Sequence, residues 1–348
     1  MSRIVILGAG VMSTAFATPL SDNGFDVDLV GTHLDRDHVD AMKASREHPR
    51  LRARIGERVT PRQIESLSEV LATPPDLLVV GVSTPGIGWA TEQLLRHMTG
   101  RPPVIFLTKG ISDSADRIEI LPDLVGRSLA QAGKDHGPLG AVGGPCIAGE
   151  LAVRRQTSAI IGFRDEALAA DWAARLSTGY YHLSATDDLV GLEICAALKN
   201  FFAIGVSVPR GRLAEMPAPN GAALHNEVAS LFNQAVTELA RIVGVGGGRP
   251  ATAYGLAGLG DLHVTTQAGR NSKLGVLIGE GLSYAEAMAG PLNGETVEGA
   301  IVARSLRAPL AAAIDSGQLT EADLPLAHLI VESVAGKAAF KVDFAAFH

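Results

Sequence analysis

The chain has 348 residues, enough for two ordinary domains, and its 47% apolar and 19% charged residues exclude extended disorder. A net charge of −7 excludes the basic face of a nucleic-acid binder, and 5% aromatic residues leave little for base or sugar stacking. Two cysteines, Cys146 and Cys195, cannot build a disulfide framework or a four-thiolate zinc site, and the ten histidines form no HxxxH or HExxH, so no metal is expected. The first apolar run starts at Ile4, too early for a secretory leader. The run Phe201–Val208 is far too short to span a bilayer, so a cytoplasmic chain without a membrane span is expected.

In chain order, Arg3–Leu7, Asp26–Val30, Leu77–Val82, Val104–Leu107, Ser158–Phe163 and Tyr180–Leu183 read as strands. The early ones are continuous apolar runs, as in a parallel sheet covered on both faces. Helical periodicity over Thr14–Asn23, Pro61–Leu71, Trp89–Met98, Ile118–Ala132 and Glu166–Leu176 completes a βαβ rhythm. After Thr186 the rhythm changes. Asp187 and Asp188 cap a long helix running through Val206, with Leu189, Leu192, Ala196, Ala203 and Val206 on one face. A Pro- and Gly-bearing connector, Pro209–Gly221, leads to a second long helix over Asn226–Val243, which Gly244 can stop. The expected architecture is an α/β Rossmann-type, doubly wound sheet over residues 1–186 and an all-α domain over 187–348.

Three stretches carry chemistry. Gly8-Ala9-Gly10-Val11-Met12-Ser13 follows the first strand and opens a helix, the setting of a dinucleotide turn, with Ser13 in place of the third glycine. Backbone N–H groups at the helix start can hold a pyrophosphate. Lys199 lies on an apolar helix face among Cys195, Ala196, Phe202 and Ala203, where a charged ammonium is costly and its pKa falls toward a range useful for proton transfer. Lys109 follows the strand Val104–Leu107 directly, on the side of an open sheet where ligands bind. A glycine-rich stretch, Gly255 to Asp261, precedes Thr265 and Gly269-Arg270-Asn271; Asp261 can orient a lysine and Arg270 can grip a phosphate through its planar fork.

Taken together these stretches resemble NAD(P)-dependent glycerol-3-phosphate dehydrogenases. The likeness runs collinearly through GAGVMSTAFA at 8–17, TKG at 108–110, GGPCIAGELA at 143–152, DDLVGLEICAALKNFFAI at 187–204, NGAAL at 220–224, GLAGLGDL at 255–262, GRNSKLG at 269–275 and VEG at 297–299. The resemblance implies interconversion of dihydroxyacetone phosphate and sn-glycerol 3-phosphate. It makes Lys199 the acid/base, with Lys109 its companion and Asp261 its orienter. Asn200, Thr265, Arg270 and Asn271 then line the substrate site, Arg270 and Asn271 at the phosphate. Gly8, Gly10, Val11, Met12, Ala148 and Glu298 fall at cofactor-contacting positions, and Lys109 and Arg270 also reach toward the cofactor. Ser13, Cys146 and Gly269 depart from the family pattern, as does the 209–227 segment. These departures motivate an alternative, a reductase of a related phosphorylated or phosphonylated small ketone.

The second strand runs into Gly31-Thr32-His33-Leu34-Asp35-Arg36 with no carboxylate at its very end, where one would bond the ribose 2′-hydroxyl of NAD. Thr32 can bond a 2′-phosphate, His33 and Arg36 can add positive charge, and Asp35 opposes them. Use of NAD or NADP, with a modest lean to NADP, is the expectation. The expected partners are a small phosphorylated substrate and a second copy of the chain in a homodimer.

Overall fold

The computed structural model describes residues 2–114, 116–213, 216, 218, 220–336 and 338–347. They form two compact units, one comprising the chain up to Lys109 with Ile120–Leu192, the other Gly110–Glu119 with the chain from Glu193 onward. The sequence reading divides the chain at 186/187; the structure changes units inside a helix, after Leu192. The segment Gly110–Glu119 closes on itself, Ser112 donating from its N–H to the Glu119 carbonyl (2.8 Å) and from its hydroxyl to the Glu119 carboxylate (2.9 Å). No local sequence signal assigns it to the second unit.

The first unit is built on a sheet of eight strands. In chain order the elements are β1 (Arg3–Leu7), α1 (Val11–Asp22), β2 (Asp26–Val30), α2 (Arg36–Ser45), β3 (Glu47–His48), β4 (Ala53–Arg54), β5 (Val59–Arg62), α3 (Leu67–Val70), β6 (Leu77–Val80), α4 (Ile87–His97), β7 (Val104–Phe106), α5 (Leu121–Gln131), β8 (Leu139–Gly143), α6 (Ala148–Ala152), β9 (Thr157–Phe163), α7 (Glu166–Leu176) and β10 (Tyr181–Thr186). The strand order is β10-β9-β8-β7-β6-β1-β2-β5, with only β8 and β9 antiparallel; β3 and β4 pair separately as a small hairpin. From β5 to β8 this is the doubly wound order with its switch point between β1 and β6. The central strands β1 and β6 are buried along nearly their whole length, which is why they read as unbroken apolar runs.

One sequence expectation is corrected here, and two further features went unread. Pro61–Leu71 is not one helix: Val59–Arg62 is the edge strand β5, followed by a 3₁₀ turn over Ile64–Ser66 and the short α3. Pro61 marks a helix start by local rules, but an edge strand tolerates a proline and β2 supplies the pairing. Strand β8 (LGAVG) has too weak a local strand signal to be read, and packing between β7 and β9 makes it one. The hairpin β3–β4 is likewise too short to read.

The second unit is helical, and no strand of the main sheet falls in it among the described residues. Its helices are α8 (Leu189–Arg212, whose first turn lies in the first unit), α9 (His225–Val245), α10 (Asp261–Gln267), α11 (Arg270–Gly279), α12 (Tyr284–Ala289), α13 (Glu298–Asp315) and α14 (Pro325–Val334). Asp188 accepts the Gly191 N–H at 3.0 Å and so caps α8. This helix is buried on every side from Gly191 to Pro209, not along one face, and it continues past Pro209 to Arg212. It is long and apolar enough to cross a membrane by length and composition, but 94% of its most apolar stretch is buried in the fold, as in a core helix. Four residues of the expected connector Pro209–Gly221, at 214, 215, 217 and 219, lie outside the described residues. Helix α9 runs through Gly244 and is capped at Gly246.

Candidate active site

In the first unit, β1 delivers the chain to Gly8, whose φ of +109° suits glycine alone; a Cβ there would lie 2.8 Å from the Gly81 carbonyl oxygen, just past β6. Gly10 has no atom within 4 Å of where its Cβ would stand, so the backbone is bare on that side. Gly10, Val11 and Met12 are partly exposed; no side chain caps Gly10, and no acidic residue occupies the first turn of α1. That leaves the positive end of a helix facing outward, a fit for a pyrophosphate. Ser13 is buried and its hydroxyl donates to the Gly81 carbonyl at 2.9 Å, so the residue in the third glycine's place ties α1 to the end of β6.

Lys109 lies three residues past β7, where its carbonyl accepts the Thr84 hydroxyl (3.0 Å). With Met12, Cys146 and Tyr181 it lines a cavity of about 20 Å³. Ala148 opens α6, partly buried.

Beyond β2, Asp35 folds inward. Its Oδ2 accepts the Thr32 N–H (2.8 Å), the Thr32 hydroxyl (2.9 Å) and the Ala9 N–H (3.2 Å). The sequence could not orient Asp35; the structure spends its charge on three donors. Arg36 is exposed and paired with Glu65, and the His33 ring packs edge-on against Trp89.

In the second unit, the Lys199 ammonium donates to Asp261 Oδ1, both groups being buried, Asp261 to 1% exposure. The apolar helix neighbours named from the sequence surround the lysine, and the carboxylate named as its orienter, 62 residues away in sequence, is its partner. A π-helical turn over Leu256–Gly260 feeds α10 and presents Asp261 as its first residue. The Thr265 hydroxyl donates back to the Asp261 carbonyl at 2.7 Å.

Asn200, next to the lysine, is held from two sides. Its Nδ2 donates to Glu298 Oε2 (3.0 Å) and its Oδ1 accepts from Asn271 Nδ2 (2.9 Å); Asn271 Oδ1 in turn accepts the Gly299 N–H (2.8 Å). Gly299 permits this closeness, since a Cβ would stand 2.3 Å from the Asn200 carbonyl oxygen. Glu298, Asn200 and Asn271 therefore form one clamp joining α8, α11 and α13. Sequence reasoning named all three but missed Gly299, for which the VEG string gives no physical signal. Arg270, half-exposed at the start of α11, lies 3.6 Å from Glu295.

Comparison with known proteins follows the same division. A family profile described as NAD-dependent glycerol-3-phosphate dehydrogenase N-terminus matches residues 3–169, and one described as the C-terminus matches 188–342. A protein of Archaeoglobus fulgidus named NADP(+)-dependent glycerol-3-phosphate dehydrogenase is 33% identical over 287 residues, 82% of each chain. One of Sodalis glossinidius, named glycerol-3-phosphate dehydrogenase [NAD(P)+], is 30% identical over 303 residues, 86% of this chain and 83% of the relative. Among solved structures, glycerol-3-phosphate dehydrogenase from Coxiella burnetii superposes with a TM-score of 0.79 over 97% of this chain and 96% of that one, at 24% identity, a likeness of fold.

Proposed function

Because the chain belongs to the NAD-dependent glycerol-3-phosphate dehydrogenase family, we propose that it interconverts dihydroxyacetone phosphate and sn-glycerol 3-phosphate with NAD(P)H. The observation that carries this reading is the buried Lys199–Asp261 pair in a chain whose other unit carries an open dinucleotide turn. When bound, the nicotinamide supplies the hydride. Lys199 gives a proton to the oxygen of the developing alkoxide and takes it back in the reverse direction, while Asp261 fixes the ammonium and offsets its charge. The Glu298–Asn200–Asn271 clamp holds the α8 turn that bears Lys199. Arg270 grips the substrate phosphate, so that binding energy remote from the carbonyl positions it. Lys109 acts as the companion cation. Asn271 holds Asn200 with one amide hydrogen and keeps the second for the phosphate beside Arg270.

For the cofactor we favour NADP modestly over NAD. The relative of A. fulgidus carries NADP in its name, and Asp35 turns its charge inward onto Thr32 and Ala9. The chain acts as a cytoplasmic homodimer in this reading; sedimentation at micromolar concentration as a monomer would remove the dimer. Steady-state turnover over a panel of keto phosphates and keto phosphonates, each with NADH and NADPH, tests the reaction. Dihydroxyacetone phosphate should give the highest kcat/KM, and a phosphonate or another keto phosphate that surpasses it would install the alternative substrate.

A further inference from the structure

The hairpin β3–β4 brings His48 against the dinucleotide turn. Its ring is fully buried, with Nε2 3.1 Å from the Ala9 carbonyl oxygen and Nδ1 3.1 Å from the Leu51 backbone nitrogen. A backbone N–H can only donate, so Nδ1 is the acceptor and Nε2 carries the proton. Nε2–H therefore donates to the Ala9 carbonyl. On the other side of the same residue, the Ala9 N–H is held by Asp35. A peptide is planar, with C=O and N–H pointing opposite ways. Drawing the Ala9 carbonyl inward to His48 turns the Gly10 N–H the opposite way, at the opening of α1, where Gly10 is partly exposed.

The loop carrying His48 is held in this shape at visible conformational cost. Arg46 (φ 60°) and Arg52 (φ 53°) bracket it in the left-handed region, unusual for arginine. The Arg46 guanidinium ties the loop back to the Val59 carbonyl (2.8 Å) and to that of Gly56. The His38 ring lies 4.8 Å from that of His48 and closes the remaining side. Strain of this kind persists where surrounding contacts over-determine it.

We propose that His48 is a positioning residue for the cofactor, fixing the Ala9–Gly10 peptide so that the Gly10 N–H is aimed at the dinucleotide pyrophosphate. The inference rests on the NAD(P) reading above, and a titration of NADH and NADPH into the wild-type chain, followed by nucleotide fluorescence, checks that reading by itself: no binding of either would overturn it. In the same titration His48→Phe keeps a ring but loses the donor, and its Kd should rise about tenfold for both nucleotides, since the pyrophosphate is common to them. The KM for dihydroxyacetone phosphate, and kcat at saturating cofactor, should stay within about twofold of wild type, because the bonds lost, to the Ala9 carbonyl and from the Leu51 N–H, hold only the dinucleotide turn and its hairpin. His48→Gln, whose amide reaches the Nε2 position, should restore most of the affinity. His48→Asn reaches only the Nδ1 position and should not, so the Gln–Asn contrast carries the test even if the Phe variant fails to fold. Equal affinities in Gln and Asn variants, an unchanged Kd in a folded Phe variant, or a loss confined to one nucleotide would overturn the proposal.

Discussion

In the proposed function the first unit would meet its ligand with backbone and the second with side chains. Around Gly8 and Gly10 the useful groups are amides, and the surrounding side chains of Ser13, Asp35 and His48 serve to hold that backbone in place. Around Lys199 the useful groups are themselves side chains, arranged by further side chains on α10, α11 and α13. A backbone site is broken by adding atoms, and a side-chain site by removing them. The two units should therefore respond to opposite kinds of substitution, and in different kinetic constants.

The largest effect expected is from a deletion in the second unit. Lys199→Ala should lower turnover by about 10²–10⁴, the usual contribution of a positioned proton donor, with the nucleotide Kd unchanged. Retention of more than about a tenth of wild-type turnover would mean that another group moves the proton. The matching addition in the first unit is Gly8→Ala. The new methyl meets the Gly81 carbonyl at 2.8 Å on a backbone at φ +109°, so the turn must shift. Nucleotide affinity should fall roughly tenfold to a hundredfold, the equivalent of an overpacked site, with the KM for the keto phosphate nearly unmoved. If both variants change the same constant, the division between backbone and side-chain sites fails.

The same division explains what could be read from sequence. A turn made of glycines on a strand end is local, so Gly8, Gly10 and the opening of α1 stand out, as does α7, whose Asp165 cap and periodic face are contiguous. The apolar run of α8 announces a core helix around Lys199 for the same reason. Partners distant in sequence are not visible to periodicity: Asp261 was found through the glycine-rich string before it, but the approach of Gly299 to Asn200 has no local trace. Short elements held by tertiary pairing are hidden as well. Edge strand β5 contains Pro61, β8 is two-fifths glycine, and β3 and β4 have two residues each. His48 sits in β3, which is why a residue against the dinucleotide turn went unread.

A smaller effect separates the units by pH. In the second, Glu238 of α9 lies buried against the start of α14, accepting the Leu326 and Ala327 N–H groups (2.8 and 2.7 Å) and the Gln234 amide (2.8 Å). Burial outweighs these bonds and pushes its carboxyl up to about 7 from 4.5. Between those values the folded chain holds a proton that the unfolded chain has released, so this contribution is full below about pH 4.5 and is lost as pH rises through 7. In the first unit, burial holds the His48 ring below the ordinary histidine range, so the sign reverses: its contribution is present above 6.5 and is lost on acidification. Urea unfolding of Glu238→Gln across pH 5–7 should lack a fall of about 2 kcal/mol that the wild type displays. Identical slopes in the two proteins would remove Glu238 as the cause.

The smallest effect tests the one place where the first unit would use a side chain on its ligand. Arg36 stands after Thr32 and Asp35, where a cation would read a 2′-phosphate, yet it is exposed and paired with Glu65. An exposed pair is weak, so Glu65 restrains the guanidinium without abolishing its reach. Arg36→Ala should raise the KM for NADPH about two- to fivefold and leave NADH within error, an effect of the size that exposed ion pairs allow. Glu65→Gln releases the guanidinium and should shift kcat/KM the other way, toward NADPH. Both shifts should shrink in high salt, because exposed charges are screened within about 8–10 Å at physiological ionic strength. Equal changes with NADH and NADPH in the Arg36 variant would mean that Arg36 does not read the 2′ position. Nucleotide choice would then fall to Thr32 and Asp35, whose contacts with the backbone of the turn make even that choice a matter of how the main chain is held.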